Sequence, residues 1–371
     1  MKFTEVLKKY YYYLYEYQRR TLDAFRYRKR IKRTIQTYPA FALVKKNKEY
    51  LKKSKQFLSE NLRGYKNTNY HHFYYILGNS TKIEYIPCEF FFTSIEPVLN
   101  DLRLANAIAD KLSSDLFFEK SDLPETLFKI VNKMYYDNEN NSIAKSDAID
   151  RLKTMNEIVV LKPGIFSGAG KNVYIDTAEK IANIILKNPK HLKGSFLIQK
   201  AVKQHPNLAK FHPSSLNTIR VMTARVNSDI VILSAYLKIG GKNNRNDNIT
   251  TGGLIININE KGELADVAFT REKIKVDRHP DTGVIFGGNS IPNYNKVKRF
   301  CIKNHKRFLR FTFISWDIGI NEKGNPVFIE FNLRKQAIHG HQILNGPLFG
   351  KHTEYFINRY NEERKEDNFF N

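Results

Sequence analysis

The sequence predicts a mixed α/β (α+β) protein with two or more lobes, preceded by a helical N-terminal extension. Residues 1–60 contain no glycine, and their apolar side chains recur near helical spacing between basic residues. Further along the chain, short apolar runs are bounded by turn residues, a pattern typical of strands. The 371 residues, of which 42% are hydrophobic, exceed what one minimal core requires. These observations favour several lobes that share a continuous interior.

Composition excludes several classes of protein. Charged residues at 26% and aromatic residues at 13% exclude a wholly disordered chain. No apolar run approaches the ~18 residues that a membrane span requires, and the N-terminus lacks the apolar stretch of a signal peptide. Two cysteines, Cys88 and Cys301, cannot form a disulfide framework or a four-ligand zinc site. We therefore expect a cytoplasmic protein.

Positive charge is concentrated near the N-terminus. The formal net charge is +24, and residues 1–60 hold 17 Lys and Arg against 5 Asp and Glu, a balance of +12. Half of the excess thus lies in the first sixth of the chain, which indicates a local function rather than general solubility. We expect residues 1–62 to form a basic, tyrosine-rich extension of one or two amphipathic helices, with a break near Pro39.

Residues 63–108 have a different texture. Two short aromatic runs, Phe73–Leu77 and Ile83–Phe92, predict strands. A helical pattern returns over residues 95–111. This region is expected to precede the main lobes.

The rest of the chain is expected to be rich in strands, with a helix over Ser146–Leu152. Turn residues such as Asn227-Ser228-Asp229 and Asn321-Glu322-Lys323-Gly324-Asn325 separate apolar runs and predict hairpins. The predicted strands are Ile158–Leu161, Phe196–Gln199, Thr218–Val226, Ile230–Ile239, Leu254–Ile258, Trp316–Ile320 and Pro326–Phe331.

The last predicted hairpin carries the strongest signal of a site. Side chains on a strand alternate, so Glu330 and Asn332 share one face, and pairing brings Asp317 of the partner strand towards them. Two carboxylates and an amide oxygen are hard donors that suit magnesium, which also keeps waters and binds substrate phosphates. A strand with a solvated polar face is the alternative.

Two further signals point to bound anions. Lys162 ends an apolar run, and a buried lysine is costly without an anionic partner. A small glycine-bearing loop follows, with Ser167, Gly168 and Gly170, whose backbone N–H groups suit phosphate oxygens; a plain hairpin is the alternative. Arg220 lies inside an apolar strand, where its planar fork suits a phosphate or carboxylate, or else a structural ion pair.

The order of these pieces resembles the ATP-grasp superfamily. The Asp110-Lys111 pair looks like the DK that opens the nucleotide-binding part of D-alanine–D-alanine ligases. More narrowly, SSLNTIRV, the DN…GG loop at residues 247–253, HPDTG at residues 279–283 and WDIGI…IEFN resemble the ATP-grasp proteins associated with sugar transfer, which are found in bacterial capsule and O-antigen loci. The resemblance covers roughly residues 65–360.

The resemblance implies an ATP-grasp fold, in which residues 109–365 form two α/β lobes that clamp the nucleotide, and residues 366–371 form a frayed tail. Lys111 and Lys162 would hold the phosphates while the loop with Ser167, Gly168 and Gly170 closes over them. The adenine would lie against the strand at Gln199 and Ala201. The implied cofactors are ATP and Mg²⁺, and the cofactor-binding set is Lys111, Lys162, Ser167, Gly168, Gly170, Gln199, Ala201 and Asn248.

For the chemistry, the resemblance implies that Asp317, Glu330 and Asn332 hold magnesium, while Arg220 and Lys162 are catalytic. Sister sequences often have arginine where this chain has Lys238, which keeps the charge but loses the bidentate fork. The expected reaction is ligation of a carboxylate to an amine through an acyl-phosphate, on a sugar or glycan precursor of capsule or O-antigen. Phosphorylation of a sugar or polyol hydroxyl is the alternative, and a nucleic-acid binder leaves the paired carboxylates unexplained.

The implied partners are small-molecule or glycan substrates and, through residues 1–60, an anionic membrane surface. Basic side chains suit anionic headgroups, and tyrosine rings suit a membrane–water boundary. The alternative is that these helices pack on the core and leave a solvated basic face. The sequence gives no role to His279, His339 and His341, which either contact substrate or are hydrogen-bonded loop residues. The expected contact residues are Arg26, Arg28, Lys29, Arg30, Lys32 and Arg33.

Overall fold

The computed structural model describes residues 3–37, 44–78, 80–165, 172–187, 194–242 and 244–366. They form two antiparallel sheets with helices packed against them, which confirms the predicted α/β (α+β) class and the helical N-terminus. None of the helices in these ranges is long and apolar enough to cross a membrane.

The smaller sheet has six strands in the order β3-β2-β1-β6-β4-β5. Helices Lys145–Thr154 and Ala178–Lys187 pack on it around a separate core that includes Leu152, Leu161 and Ile181. Its strands are β1 (Thr126–Val131), β2 (Met134–Tyr136), β3 (Ser142–Ile143), β4 (Ile158–Pro163), β5 (Tyr174–Thr177) and β6 (Ser195–Lys200).

The larger sheet has seven strands in the order β11-β10-β9-β8-β7-β12-β13. Its strands are β7 (Thr218–Val226), β8 (Asp229–Ile239), β9 (Leu254–Ile258), β10 (Leu264–Phe269), β11 (Lys275–Val276), β12 (Phe313–Ile320) and β13 (Pro326–Asn332). The β7–β8 and β12–β13 hairpins form at the predicted turns, because the turn residues and the flanking apolar runs are adjacent in sequence.

Helices cover both faces of the larger sheet. Helix Tyr294–His305 lies over one face, where Trp316 and Ile219 are fully buried. The N-terminal helices and the two last long helices lie over part of the other face, around Tyr236 and Phe313. The remaining helices are Phe3–Thr37, Lys48–Asn61, Asn69–Gly78, Cys88–Phe90, Glu96–Leu99, Leu102–Ile108, Ser114–Phe117, Pro206–Ala209, Ile338–Asn345 and Thr353–Glu366, with a π-helical stretch at Phe91–Ile95.

The two strands predicted before residue 93 are wrong. Phe73–Leu77 lies inside helix Asn69–Gly78, and the run from Ile83 turns helical at Cys88. Aromatic residues have high strand propensity, but here tertiary packing decides, since Tyr70, Phe73, Tyr74 and Leu77 are all buried in the shared core. A helix buried on most sides shows no clear apolar stripe in its sequence.

Helix Phe3–Thr37 packs on the rest of the protein through its second half. Ile31 is buried in the core, and the ring of Tyr27 lies 4.9 Å from that of Phe92. Asp23 Oδ2 forms an ion pair with Lys335 Nζ at 2.8 Å. These contacts hold the extension next to the segment that follows β13.

Candidate active site

The β12–β13 hairpin brings two of the three predicted metal ligands face to face. Asp317 lies directly opposite Glu330, and Asn332 lies opposite Ser315, with a bulge after Asp317. Glu330 is one-third exposed, whereas Asp317 is buried. The amide nitrogen of Asn332 is buried and donates no hydrogen bond within the described parts of the chain. This nitrogen cannot bind a metal but can donate to a phosphate, so the residues fit a magnesium ion, bound through the two carboxylates and the amide oxygen, together with a bound phosphate.

Arg220 of β7 forms a two-bond ion pair with Asp317. The two residues are cross-strand partners; Arg220 Nη2 donates to Asp317 Oδ2 at 2.7 Å, and Nε donates to Oδ1. Burial opposes the charge on both groups, but their mutual attraction outweighs it. The pKa of Asp317 is therefore held well below its usual range, and that of Arg220 is raised. The guanidinium of Arg220 thus binds a carboxylate, and that carboxylate belongs to the protein itself.

Lys238 of β8, which stands where sister sequences often have arginine, joins this network, although the sequence analysis did not include it in the site. Its Nζ lies 3.2 Å from Asp317 Oδ2 and 3.4 Å from Asp247 Oδ2. Asp247 in turn accepts hydrogen bonds from the backbone N–H and the hydroxyl of Thr218. Burial lowers the pKa of Lys238, but the two carboxylates outweigh it and raise the pKa overall. The signal was present, because a lysine inside an apolar strand is the same pattern that singled out Lys162.

Lys111 pairs with Glu330, and the charges of both residues act on the buried Lys162. Lys111 Nζ is 3.1 Å from Glu330 Oε2. Burial, and then the positive charge of Lys111, lower the pKa of Lys162 to about 7, while Glu330 opposes the shift. At the neighbouring Gly164, a Cβ would lie 2.2 Å from Leu112 Cδ1 and 2.7 Å from Asp110 Oδ1, so a larger residue there would displace both side chains. This close approach brings the Asp110-Lys111 turn against the end of β4.

The predicted adenine strand is β6, in the smaller sheet. Gln199 Nε2 donates to Pro124 O and to Thr126 Oγ1, each at 3.1 Å. The backbone N–H of Ala201 donates to Ile158 O at 2.9 Å, so it is already used inside the sheet. Gln199 lies on β6, which runs between β1 and β4 in the interior of the sheet, and Ala201 follows the end of that strand.

The remaining predicted nucleotide contacts lie in two loops. Ser167, Gly168 and Gly170 fall outside the described residues. Asn248 Oδ1 accepts from the backbone N–H and the hydroxyl of Thr250, each at 2.9 Å, and so shapes its own loop. That loop also carries Asp247, through which it contacts Lys238.

Two of the three unassigned histidines are firmly hydrogen-bonded. His279 Nε2 lies 2.8 Å from Gly240 O, and His341 Nδ1 lies 2.6 Å from Ser234 Oγ. The His341 ring packs edge-on against Tyr236, the cross-strand partner of Arg220. Burial, and then the charge of Arg220, lower the pKa of His341 to about 3.

His339 packs among aromatic rings. Its ring stacks on that of Tyr70 at 5.2 Å, and its Nδ1 lies 3.4 Å from Tyr74 Oη. Burial, and then the charges of Lys273 and Arg30, lower the pKa of His339 to about 3. His339 is therefore neutral at physiological pH.

A buried glutamate fixes the segment that follows β13. Glu96 accepts the backbone N–H groups of Lys335 at 2.7 Å and Gln336 at 3.1 Å. Burial raises the pKa of Glu96 to about 7. Because this segment follows Asn332 directly, Glu96 helps to hold the hairpin that carries the predicted metal ligands.

A cavity of about 390 Å³ opens near the ends of β8 and β9, and its lining includes neither Arg220, Lys238 nor Asp317. Its wall includes part of the loop that contains Asp247, together with the turn after β10. Among the described residues it is lined by both charge signs and by hydroxyl groups: Gly241, Lys242, Thr250, Thr251, Gly252, Leu254, Thr270, Arg271, Glu272, His279, Pro280 and Asp281.

Comparisons with solved structures find several ATP-binding enzymes with weak similarity. Biotin carboxylase from Campylobacter jejuni, solved with an ATP analogue, has 12% identity over 70% of this chain and 47% of that chain, with a TM-score of 0.42. D-alanyl-alanine synthetase A from Vibrio cholerae has 14% identity over 71% and 64%, with a TM-score of 0.38. The biotin carboxylase domain of 2-oxoglutarate carboxylase from Hydrogenobacter thermophilus has 16% identity over 68% and 45%, with a TM-score of 0.40. This chain thus spans 45–64% of the length of these proteins.

No curated protein matches the sequence significantly. The family model of sugar-transfer associated ATP-grasp proteins matches residues 92–355, which is most of the chain. The matched range contains both sheets and every predicted site residue. The chain belongs to the sugar-transfer associated ATP-grasp family.

Proposed function

We propose that this protein is an ATP- and Mg²⁺-dependent carboxylate–amine ligase that acts through an acyl-phosphate. The observation that carries the proposal is the charge arrangement around Asp317 and Glu330. Cationic groups of Arg220, Lys238 and Lys111 contact these carboxylates within hydrogen-bonding or ion-pair distance. Such a site can bind the phosphates of a nucleotide and stabilise charge that develops during phosphoryl transfer.

In the first step a carboxylate oxygen of the substrate attacks the γ-phosphorus of ATP, and ADP leaves. Lys111 and Lys162 would bind the phosphates, and Arg220 would face the transferred group. A magnesium ion held by Asp317, Glu330 and Asn332 would neutralise charge on the β- and γ-phosphates. In the second step an amine attacks the acyl carbon, phosphate leaves, and the amine loses a proton. The products are an amide, ADP and phosphate.

A ligase fits this site better than a kinase because Asp317, which is paired with cations, is poorly suited to act as a general base. A hydroxyl nucleophile requires a general base, whereas a substrate carboxylate is already ionised at neutral pH. Despite its burial, Asp317 is held ionised by Arg220 and Lys238, which keep its pKa below the usual range, and the pKa of His341 is lowered to about 3. Both groups are poor bases, so the phosphoryl-transfer step favours a nucleophile that needs none.

We propose that the acceptor occupies the 390 Å³ cavity. The threonine hydroxyls and the mixed charges of Lys242, Arg271, Glu272 and Asp281 suit a polar molecule with ionic groups, such as a sugar acid or an amino acid. The family description supports a substrate from sugar metabolism, and we propose a sugar or glycan precursor of capsule or O-antigen.

The test is to incubate the protein with ATP, Mg²⁺, a panel of sugar acids and hydroxylamine. An acyl-phosphate is trapped as a hydroxamate, whatever the natural amine is. Hydroxamate and ADP in equal amounts are the expected result, and replacing hydroxylamine by amino acids should give products lighter by one water than the summed substrates. A product heavier by one phosphoryl group, with no hydroxamate, would establish a kinase instead.

A further inference from the structure

Helix Phe3–Thr37 has an outward face that the rest of the described chain does not cover. At 3.6 residues per turn, Tyr27 and Ile31, which contact the core, lie on one side of the helix. On the opposite side, within an arc of roughly 100°, lie five large side chains that we call the outer stripe: Tyr11, Leu14, Tyr15, Leu22 and Phe25.

The outer stripe is exposed along its length. Tyr11 is 77% exposed, Leu22 57% and Phe25 63%. Single exposed apolar residues are common, but a row along one helix face is characteristic of an interaction surface. Leu14, Leu22 and Phe25 are therefore turned away from the core.

The same face becomes basic after the stripe ends. By helical spacing, Lys29 and Lys32 continue the outward side, and both are exposed. Within the described residues neither has a carboxylate within 4.0 Å, whereas Arg28 turns back to Glu89 at 3.7 Å. The face thus has an apolar, aromatic half followed by a basic half.

We propose that this face lays the helix on the surface of an anionic lipid bilayer. Tyrosine and phenylalanine rings suit the membrane–water boundary, and the lysines would contact headgroup phosphates. A second copy of this chain is a poorer partner, because each copy carries a net charge of +24 and would bring like basic halves together. The helix would lie on the membrane surface, because it is not apolar enough to cross the bilayer.

A docked helix would also position the active site, because its inner side contacts the segment that follows β13. Asp23 is ion-paired to Lys335, in the segment that follows β13. A helix of 35 residues extends ~52 Å at 1.5 Å per residue, so a docked helix would hold this end of the larger sheet near the headgroups. The proposal is independent of whether the reaction is ligation or phosphorylation.

The test is sedimentation of the full-length protein with vesicles of phosphatidylcholine alone or mixed with phosphatidylglycerol, at low and high salt. The expected result is binding to the mixed vesicles that fades with salt. Leu22→Glu/Phe25→Glu and Lys29→Glu/Lys32→Glu should each weaken binding by roughly tenfold or more. Lys52→Glu/Lys55→Glu makes the same charge change as Lys29→Glu/Lys32→Glu, but on exposed residues of helix Lys48–Asn61. This control should bind the vesicles like the wild type.

A second measurement does not depend on these charge reversals. Phe25→Trp adds an exposed indole to a protein whose one tryptophan, Trp316, is fully buried. Its emission should shift to shorter wavelength with the mixed vesicles and not with phosphatidylcholine alone. Equal binding to both vesicle types, an unchanged emission, or loss of self-association rather than of vesicle binding in Leu22→Glu/Phe25→Glu would overturn the proposal.

Discussion

Arg220 and Asp317 lie opposite each other on the neighbouring strands β7 and β12 of the larger sheet and bind through two parallel contacts. Lys238 adds a third contact to the same carboxylate at 3.2 Å. Glu330, by comparison, is partly exposed and pairs with Lys111 alone among the described residues. The two carboxylates on one hairpin therefore differ in how much of the fold depends on them.

Asp317→Asn and Glu330→Gln should both abolish ATP turnover, because an amide is a poorer magnesium ligand than a carboxylate. Their stabilities should differ. Removing the Asp317 charge leaves Arg220, whose side chain is 11% exposed, without its carboxylate partner and should lower the free energy of unfolding by about 3–5 kcal/mol. Glu330→Gln should cost less than about 1 kcal/mol.

Urea denaturation and ADP release check both statements. Glu322→Gln, on the exposed turn of the same hairpin, is the control and should retain full activity and stability. Full turnover in Glu330→Gln would remove the metal assignment.

Lys162→Ala should weaken the binding of ATP far more than that of adenosine, because the expected partner of Lys162 is a phosphate. Lys111→Ala should behave in the same way, since its ammonium group pairs with Glu330 and its charge acts on Lys162. Calorimetric titration with both ligands measures the difference. Equal weakening for ATP and adenosine would make Lys162 a structural residue.

ATP binding should be coupled to proton uptake above neutral pH. The pKa of Lys162 is lowered to about 7, so the ligand-free protein holds this lysine mostly neutral at pH 8. Phosphates favour the charged form, so binding at pH 8 should take up close to about one proton, and affinity should fall as pH rises through 7. Titrations in buffers of different ionisation enthalpy measure the uptake, and Lys162→Met should remove it; an unchanged uptake in this variant would contradict the assignment.

Lys238→Met should lower turnover by about 100-fold or more, with a smaller effect on the KM for ATP. Its point charge reaches both Asp317 and Asp247, and methionine cannot replace it. Lys238→Arg keeps the charge and should recover part of the rate. Lys323→Met, an exposed lysine in the turn between β12 and β13, is the matched control and should be fully active. A normal rate in Lys238→Met would limit this lysine to a structural role.

The sequence predicted best what neighbouring residues decide. The pairing of Asp317 with Glu330 follows from strand alternation and a short turn, so it could be predicted without a fold. The contact between Lys238 and Asp317 joins residues 79 positions apart in the sequence. The second partner of Lys238, Asp247, lies in a loop whose path depends on the whole sheet. Neither could be deduced from local pattern.

The wrong strands at Phe73–Leu77 and Ile83–Phe92 have the same origin. Their aromatic residues pack against Tyr236, Phe313 and the final helices, which lie more than 100 residues away in the sequence. Propensity cannot anticipate such a surface.

The shared core has a consequence for where this protein can be cut. The family match begins at residue 92, yet Ile31, Tyr70 and Tyr74 fill the same core as Met222 and Phe269 of the larger sheet. A fragment that starts at residue 92 would leave that sheet face bare to water, and such apolar patches drive aggregation. Expressed alone, the matched region should collect in inclusion bodies, and adding residues 1–91 back as a separate peptide should restore it to solution.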